Sequence, residues 1–139
     1  MSTAIVNDIV VVDTDVVSFL FKGDTRAAIY QLHLDGRLQI IAAQTRAELE
    51  RWALARNWGE RRRAELRSYL KDFFFAEADE TVCLRWAEAQ DNAQRKGRPI
   101  SCADAWIAAT ALAFAVPLVT HNPDDFRQIQ GLTVISEKE

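Results

Sequence analysis

The sequence holds only two cysteines, Cys83 and Cys102, and two histidines, His33 and His121. Neither cysteine stands in a C-x-x-C pair and the histidines complete no ligand pattern, which excludes a zinc site. Two isolated thiols of this kind are expected as buried core residues. Long apolar runs are missing too. None approaches the ~20 residues of a membrane helix, and the longest, residues 105–119, is interrupted by Thr110 and Pro117. No basic segment precedes the first apolar stretch as in a secretory signal, so the expected location is cytoplasmic. Repeats, linkers and low-complexity tracts are absent. Lysine is scarce: 13 of the 17 basic residues are arginine.

What remains is the make-up of a folded domain. The 139 residues suit one core, and a single domain over 1–139 is expected. With 49% hydrophobic residues and a net charge of −3, general disorder is excluded. The mild acidity argues against a nonspecific DNA coat, while the arginines leave room for phosphate recognition.

Five short apolar runs read as strands: residues 9–12, 38–42, 73–76, 118–120 and 132–135. Between them lie helical stretches near 16–21, 24–35, 45–56, 60–70, 80–96 and from 101 onward. Gly23, Gly36, Gly59 and Gly97 stand at their ends. Residues 1–8 read as a loose lead-in. Strands alternating with helices predict an α/β fold with a mainly parallel sheet. Ligands of such sheets sit beyond the carboxyl ends of the strands.

The acids fall at those ends. Asp13 and Asp15 follow the first strand, and Asn122, Asp124 and Asp125 follow the fourth. Glu48 and Asp104 lie in the first turns of two helices. Singly, each has a plain explanation: Thr45-x-x-Glu48 and Ser101-x-x-Asp104 are capping boxes, and Asp13 and Asp15 are turn residues. Together they place several carboxylates at one sheet edge. Two carboxylates ~4 Å apart repel by about 4 kcal/mol at an effective dielectric of 20, so the group needs a counter-charge. All-oxygen ligands favour Mg²⁺ or Mn²⁺.

Four stretches in order match one family: Val11-Val12-Asp13-Thr14-Asp15, Ala47-Glu48-Leu49, Asp104-Ala105-Trp106-Ile107-Ala108, and Leu118-Val119-Thr120-His121-Asn122-Pro123-Asp124-Asp125. The chain resembles the PIN-domain ribonucleases, in particular the VapC toxins of toxin–antitoxin pairs. The resemblance implies a three-layer α/β/α sandwich and Mg²⁺- or Mn²⁺-dependent hydrolysis of RNA. It implies an acidic core of Asp13, Glu48 and Asp104, with metal held by Asp13 and Asp104. Many relatives carry an acid where Asn122 stands, and Asp125, one turn on, is the alternative fourth residue. Asp15, where Asn is commoner, and Thr120, with a hydroxyl near the scissile phosphate, are supporting residues. A homodimer and a VapB-type antitoxin, lying across helices of the 16–32 region, are implied by the resemblance alone.

Other readings stay open. Asp13-Thr14-Asp15-Val16-Val17 also fits the opening of a haloacid-dehalogenase-like phosphatase, with Asp13 as nucleophile. That family needs a lysine near the site, and Lys22, Lys71, Lys96 and Lys138 have no fitting place. Asn122 leaves room for a non-catalytic binding module. Residues 46–67 carry seven arginines against four glutamates, densest at Arg61-Arg62-Arg63. These form either a solvated helix face or an RNA-backbone track. Trp86 and Trp106 are expected in the core, and Trp52 and Trp58 are expected to be more open.

Overall fold

The computed structural model describes residues 8–138; most of the lead-in lies outside the described residues. Its elements are β1 (Ile9–Val12), α1 (Thr14–Lys22), α2 (Ala27–Leu34), β2 (Leu38–Ala42), α3 (Ala43–Ala55) and α4 (Glu60–Leu70). There follow β3 (Phe74–Ala76), α5 (Glu80–Arg95), α6 (Cys102–Phe114), β4 (Leu118–Val119), a 3₁₀ turn (Pro123–Asp125) and β5 (Val134–Ile135). The strands lie in the order β3-β2-β1-β4-β5, and every pairing is parallel.

A parallel sheet covered on both faces calls for strands that are apolar on both sides. In β1, Val10, Val11 and Val12 are all fully buried. Val10 and Val12 pack with Val16, Val17 and Phe19 of α1, Tyr30 and Leu34 of α2, Leu49 and Ala53 of α3, and Leu66 and Leu70 of α4. Val11 faces the other way, onto Ala89 of α5, Ile107, Ala108 and Ala111 of α6, and Phe126 and Ile129. The result is the expected sandwich, with helices on both faces of an all-parallel sheet.

Helix ends follow their local chemistry. Gly23 closes α1 at φ 69°, in the left-handed region that a side chain disfavours. Ser101 caps α6 by accepting the Asp104 N–H. The expected cap at Thr45 is not formed. Helix α3 begins two residues earlier, with Ala42 in the cap position and no side-chain bond there. Thr45 is fully buried instead, and its hydroxyl shares a 3.0 Å hydrogen bond with that of Thr14.

Two further expectations are corrected. Cys83 and Cys102 are exposed rather than buried, because each sits on the outer side of its helix. Trp86 and Trp106 are half-buried and stack on each other at 5.2 Å between ring centres, in place of entering the core.

Candidate active site

The strand order creates the site. β1 has β2 on one side and β4 on the other. The chain leaves β1 toward β2 and later crosses to β4, so a crevice opens where the carboxyl ends of β1 and β4 diverge. Asp13 is the first residue beyond β1, and Thr120 the first beyond β4. Register holds them together: Val12 pairs with Val119, and the Asp13 N–H donates to the Val119 carbonyl at 2.9 Å.

Asp13 is 6% exposed. Its Oδ1 accepts the Thr14 N–H at 2.7 Å, and its Oδ2 accepts the Thr120 hydroxyl at 2.7 Å. Thr120 Oγ1 in turn accepts the Asn122 N–H at 3.0 Å. The Thr120 hydroxyl is therefore buried behind Asp13 and committed to it, rather than presented to a phosphate.

Asp15 lies two residues along, in the first turn of α1. Its Oδ1 accepts the Val16 N–H, and its Oδ2 accepts both the His121 N–H at 3.1 Å and Asn122 Nδ2 at 2.8 Å. Asp15 thus ties the start of α1 to the turn after β4. Behind this turn, the Tyr30 hydroxyl and His121 Nδ1 meet at 2.6 Å. Thr14 donates its hydroxyl to Glu48 Oε1 at 2.7 Å. With the early start of α3, this bond turns Glu48 toward β1 rather than back to a helix cap.

A cleft of about 480 Å³ gathers these groups. Asp13, Asp15, Glu48, Asp104 and Asn122 line it, joined by Thr14, Ser18, Arg51 and Trp52. Asp125 is exposed and lies on the far side of Asp104. There it lines a neighbouring hollow with Arg98, Ser101 and Arg127. Arg61, Arg62 and Arg63 do not line the cleft. Arg61 is outermost, 4.0 Å from Glu65. Sequence reasoning did not single out Thr14, Ser18 and Arg51 as site residues. Arg51 and Trp52 were findable, three and four positions after Glu48 and so on the same helix face.

Electrostatics mark the cleft. Burial, then the nearby Asp15 charge, push the Asp13 carboxyl up to about 7, although Thr120 and Thr14 pull it down. Burial also raises Asp15. Asp104 is raised by burial first, then by Asp125, Glu48 and Asp15. No ion pair involves Asp13, Asp15, Glu48 or Asp104 among the described residues. As they stand, no three metal-ligating side chains among those residues converge on a single ion position. The donor set itself fits a hard divalent cation: all oxygen, crowded, and engaged in no ion pair among the described residues.

The PIN domain family model matches residues 10–132. Ribonuclease VapC1 of Haemophilus influenzae strain R2866 is 30% identical over 129 residues, spanning 89% of this chain and 94% of that protein. Among solved structures, VapBC2 from Rickettsia felis, bound to a DNA fragment from its promoter, superposes with a TM-score of 0.82 at 21% identity. It covers 92% of this chain and 98% of that one. VapBC-1 from nontypeable Haemophilus influenzae gives a TM-score of 0.75 at 24% identity, covering 92% and 97%. A match over most of the chain, a relative at this identity and the same fold give one conclusion: the chain belongs to the PIN-domain family and is related to the VapC ribonucleases.

Proposed function

We propose that this protein is the toxin of a toxin–antitoxin pair, a metal-dependent endoribonuclease that hydrolyses RNA phosphodiester bonds. The observation that carries the reading is the convergence of Asp13, Glu48 and Asp104 on one cleft without a cationic partner. Asp13 and Asp104 would hold Mg²⁺ or Mn²⁺. When bound, such an ion polarises the phosphate and lowers the pKa of a water.

The remaining work falls to the chain. Thr120 fixes Asp13 through Oδ2, and Thr14 fixes Glu48 through Oε1, leaving Oε2 free to orient a water. Asp15 and Asn122 brace the turn that closes the crevice. Asn122 is the fourth residue of the cleft, and Asp125 acts on it from outside through its charge on Asp104. Arg51 supplies a cation at the cleft wall for a backbone phosphate. Among the described residues no lysine lines the cleft, which speaks against the phosphatase reading.

The partners follow the same reading. A toxin–antitoxin complex from Klebsiella pneumoniae and VapBC-5 from Mycobacterium tuberculosis, a member of the VapBC family of toxin–antitoxin systems, share this fold, and we infer a VapB-type antitoxin here. Ile29 and Leu32 of α2, exposed by 47% and 79%, support such a partner on the α1–α2 side. A homodimer of one-domain chains acting in the cytoplasm completes the proposal; no helix among the described residues is long and apolar enough to cross a membrane.

The test is RNA cleavage by the purified protein with Mg²⁺ or Mn²⁺ and with chelator. Activity that needs the metal and is lost in Asp13→Ala and Asp104→Ala is expected. Cleavage persisting in chelator or in either variant overturns the reading.

A further inference from the structure

Lys22, Arg56 and Arg62 come from three different helices or their ends, yet they gather around one aromatic cluster. Lys22 Nζ lies 3.9 Å from the Trp52 ring centre, and the Arg56 guanidinium 4.1 Å from it. Trp52 packs against Trp58 at 5.6 Å. The Arg62 guanidinium lies 4.3 Å from the Trp58 ring and 5.4 Å from Phe21, which itself packs on Trp58.

Among the described residues, these three cations lie over aromatic rings without a carboxylate partner, whereas Arg26, which lies over Phe19, pairs with Asp24. Arg26, Arg46, Arg61, Arg85, Arg95 and Arg127 each pair with a carboxylate nearby. Among the described residues, Lys22, Arg56 and Arg62 have no such partner, and their side chains donate no hydrogen bond to the protein. Like charges normally spread apart on a surface. Here aromatic faces hold them in a group, an attraction worth about 0.5–1 kcal/mol per exposed contact. The crowding is felt: Lys22 is lowered by partial desolvation and then by Arg56, with smaller contributions from Arg26 and Arg62, against an upward pull from the Asp24 charge. In a chain of net charge −3, three held cations with unused donors form a site for a polyanion.

The site joins the acidic cleft. Trp52, which carries two of the cations, also lines the cleft, next to Arg51 and Ala55. A strand whose scissile phosphate lies at Asp13 and Asp104 would pass Arg51 and Trp52 on its way out.

Building on the ribonuclease reading, we propose that Lys22, Arg56 and Arg62, arrayed on Trp52, Trp58 and Phe21, form a phosphate track for single-stranded RNA leading out of the cleft. The rings orient the cations and carry no base recognition, because cations already occupy Trp52. Contact is to the backbone and does not depend on sequence. The track is therefore not the Arg61-Arg62-Arg63 run as a unit: Arg62 alone of the three turns onto the aromatic cluster.

The experiment measures binding of a labelled single-stranded RNA oligonucleotide by anisotropy over a range of salt. It is done in chelator, so that the RNA stays intact. The triple variant K22Q/R56Q/R62Q is expected to bind about tenfold or more weakly. Its log affinity against log salt should be shallower by about 2, since single strands contribute about 0.7 per neutralised phosphate. The charge-keeping K22R/R56K/R62K should retain the slope, and Arg61→Gln should match wild type. Thermal melting of each variant checks folding.

Unchanged affinity and slope in K22Q/R56Q/R62Q overturn the track. So does binding of poly-glutamate by wild type as tightly as RNA, which would make the patch an acidic-protein docking surface. Failure of the underlying ribonuclease reading looks different: no metal-dependent cleavage by wild type while salt-sensitive RNA binding persists.

Discussion

The Thr120 hydroxyl donates to Asp13 Oδ2 at 2.7 Å, and both side chains are buried. This one bond ties the ends of two adjacent parallel strands at the place where the sheet opens. It also fixes which oxygen of Asp13 faces inward. Thr120→Val keeps the shape but leaves Asp13 Oδ2 and the Asn122 N–H without their partner. A loss of about 1–3 kcal/mol of stability is expected, and Asp13 should be pushed up further. Mg²⁺ needed for half-maximal RNA cleavage should rise, while Thr120→Ser stays close to wild type. Urea denaturation and a metal titration of cleavage check both halves.

The raised carboxylates make the metal-free protein sensitive to pH. The Asp13 carboxyl is pushed from 3.8 to about 7 by burial and by Asp15, and Asp15 and Asp104 shift the same way. Between those values the folded chain holds more protons than the unfolded one. Stability must therefore fall as pH rises from about 4 to 7. A shift of this size in Asp13 corresponds to at most about 4 kcal/mol. Thermal melts in chelator should show Tm declining across that window, less steeply in Asp13→Asn. Mg²⁺ should raise Tm clearly at pH 7.5 and little at pH 5, because protonated carboxyls do not hold it.

How far the sequence carried the fold and the site depends on whether the signal was local. Val10, Val11 and Val12 are apolar on both faces because β1 is central, and a continuous β-branched run reports that directly. The edge strand shows the reverse: Phe74 and Phe75 are exposed, so the aromatic run marked a strand but not its burial. Glu48 illustrates a local rule yielding to a tertiary one. Thr45-x-x-Glu48 has the form of a capping box, yet Thr45 turns inward to Thr14, and the same Thr14 holds Glu48. No pattern within the 45–48 segment records a bond to residue 14. Asn122 and Asp125 are separated by the 3₁₀ turn between them, which puts one in the cleft and the other beyond Asp104.

That separation has a consequence for activity. Asn122 Nδ2 donates to Asp15 inside the cleft, whereas Asp125 reaches the site only through its field at Asp104. Asn122→Ala should lower RNA cleavage roughly tenfold, about 1.4 kcal/mol of transition-state stabilisation, by loosening the turn and Asp15. Asp125→Asn should change it less than threefold. Its carboxylate raises Asp104, so its removal should move the acid limb of the cleavage profile to lower pH. Rates at saturating Mg²⁺, followed over pH, separate the two. A larger loss in Asp125→Asn than in Asn122→Ala would reverse the assignment.

The two thiols give a test that touches neither metal nor RNA. Cys83 lies on α5 and Cys102 opens α6, and both are exposed. A sequence with two isolated cysteines and no pairing motif invites the opposite reading, since free cysteine is among the most buried residue types. Burial there is decided by helix rotation. On α5, Val82, Ala89 and Ala93 take the inner face, and Cys83 follows Val82 by about 100° around the axis. On α6, the inner face begins at Ala105. Titration of the native protein with an aromatic disulfide reagent should therefore count two thiols without denaturant. Cys83→Ser and Cys102→Ser should each change stability by less than about 0.5 kcal/mol, as exposed substitutions do. A thiol that reacts only after unfolding would show that one of these helices is rotated from the orientation described, and for α6 would shift Asp104 as well.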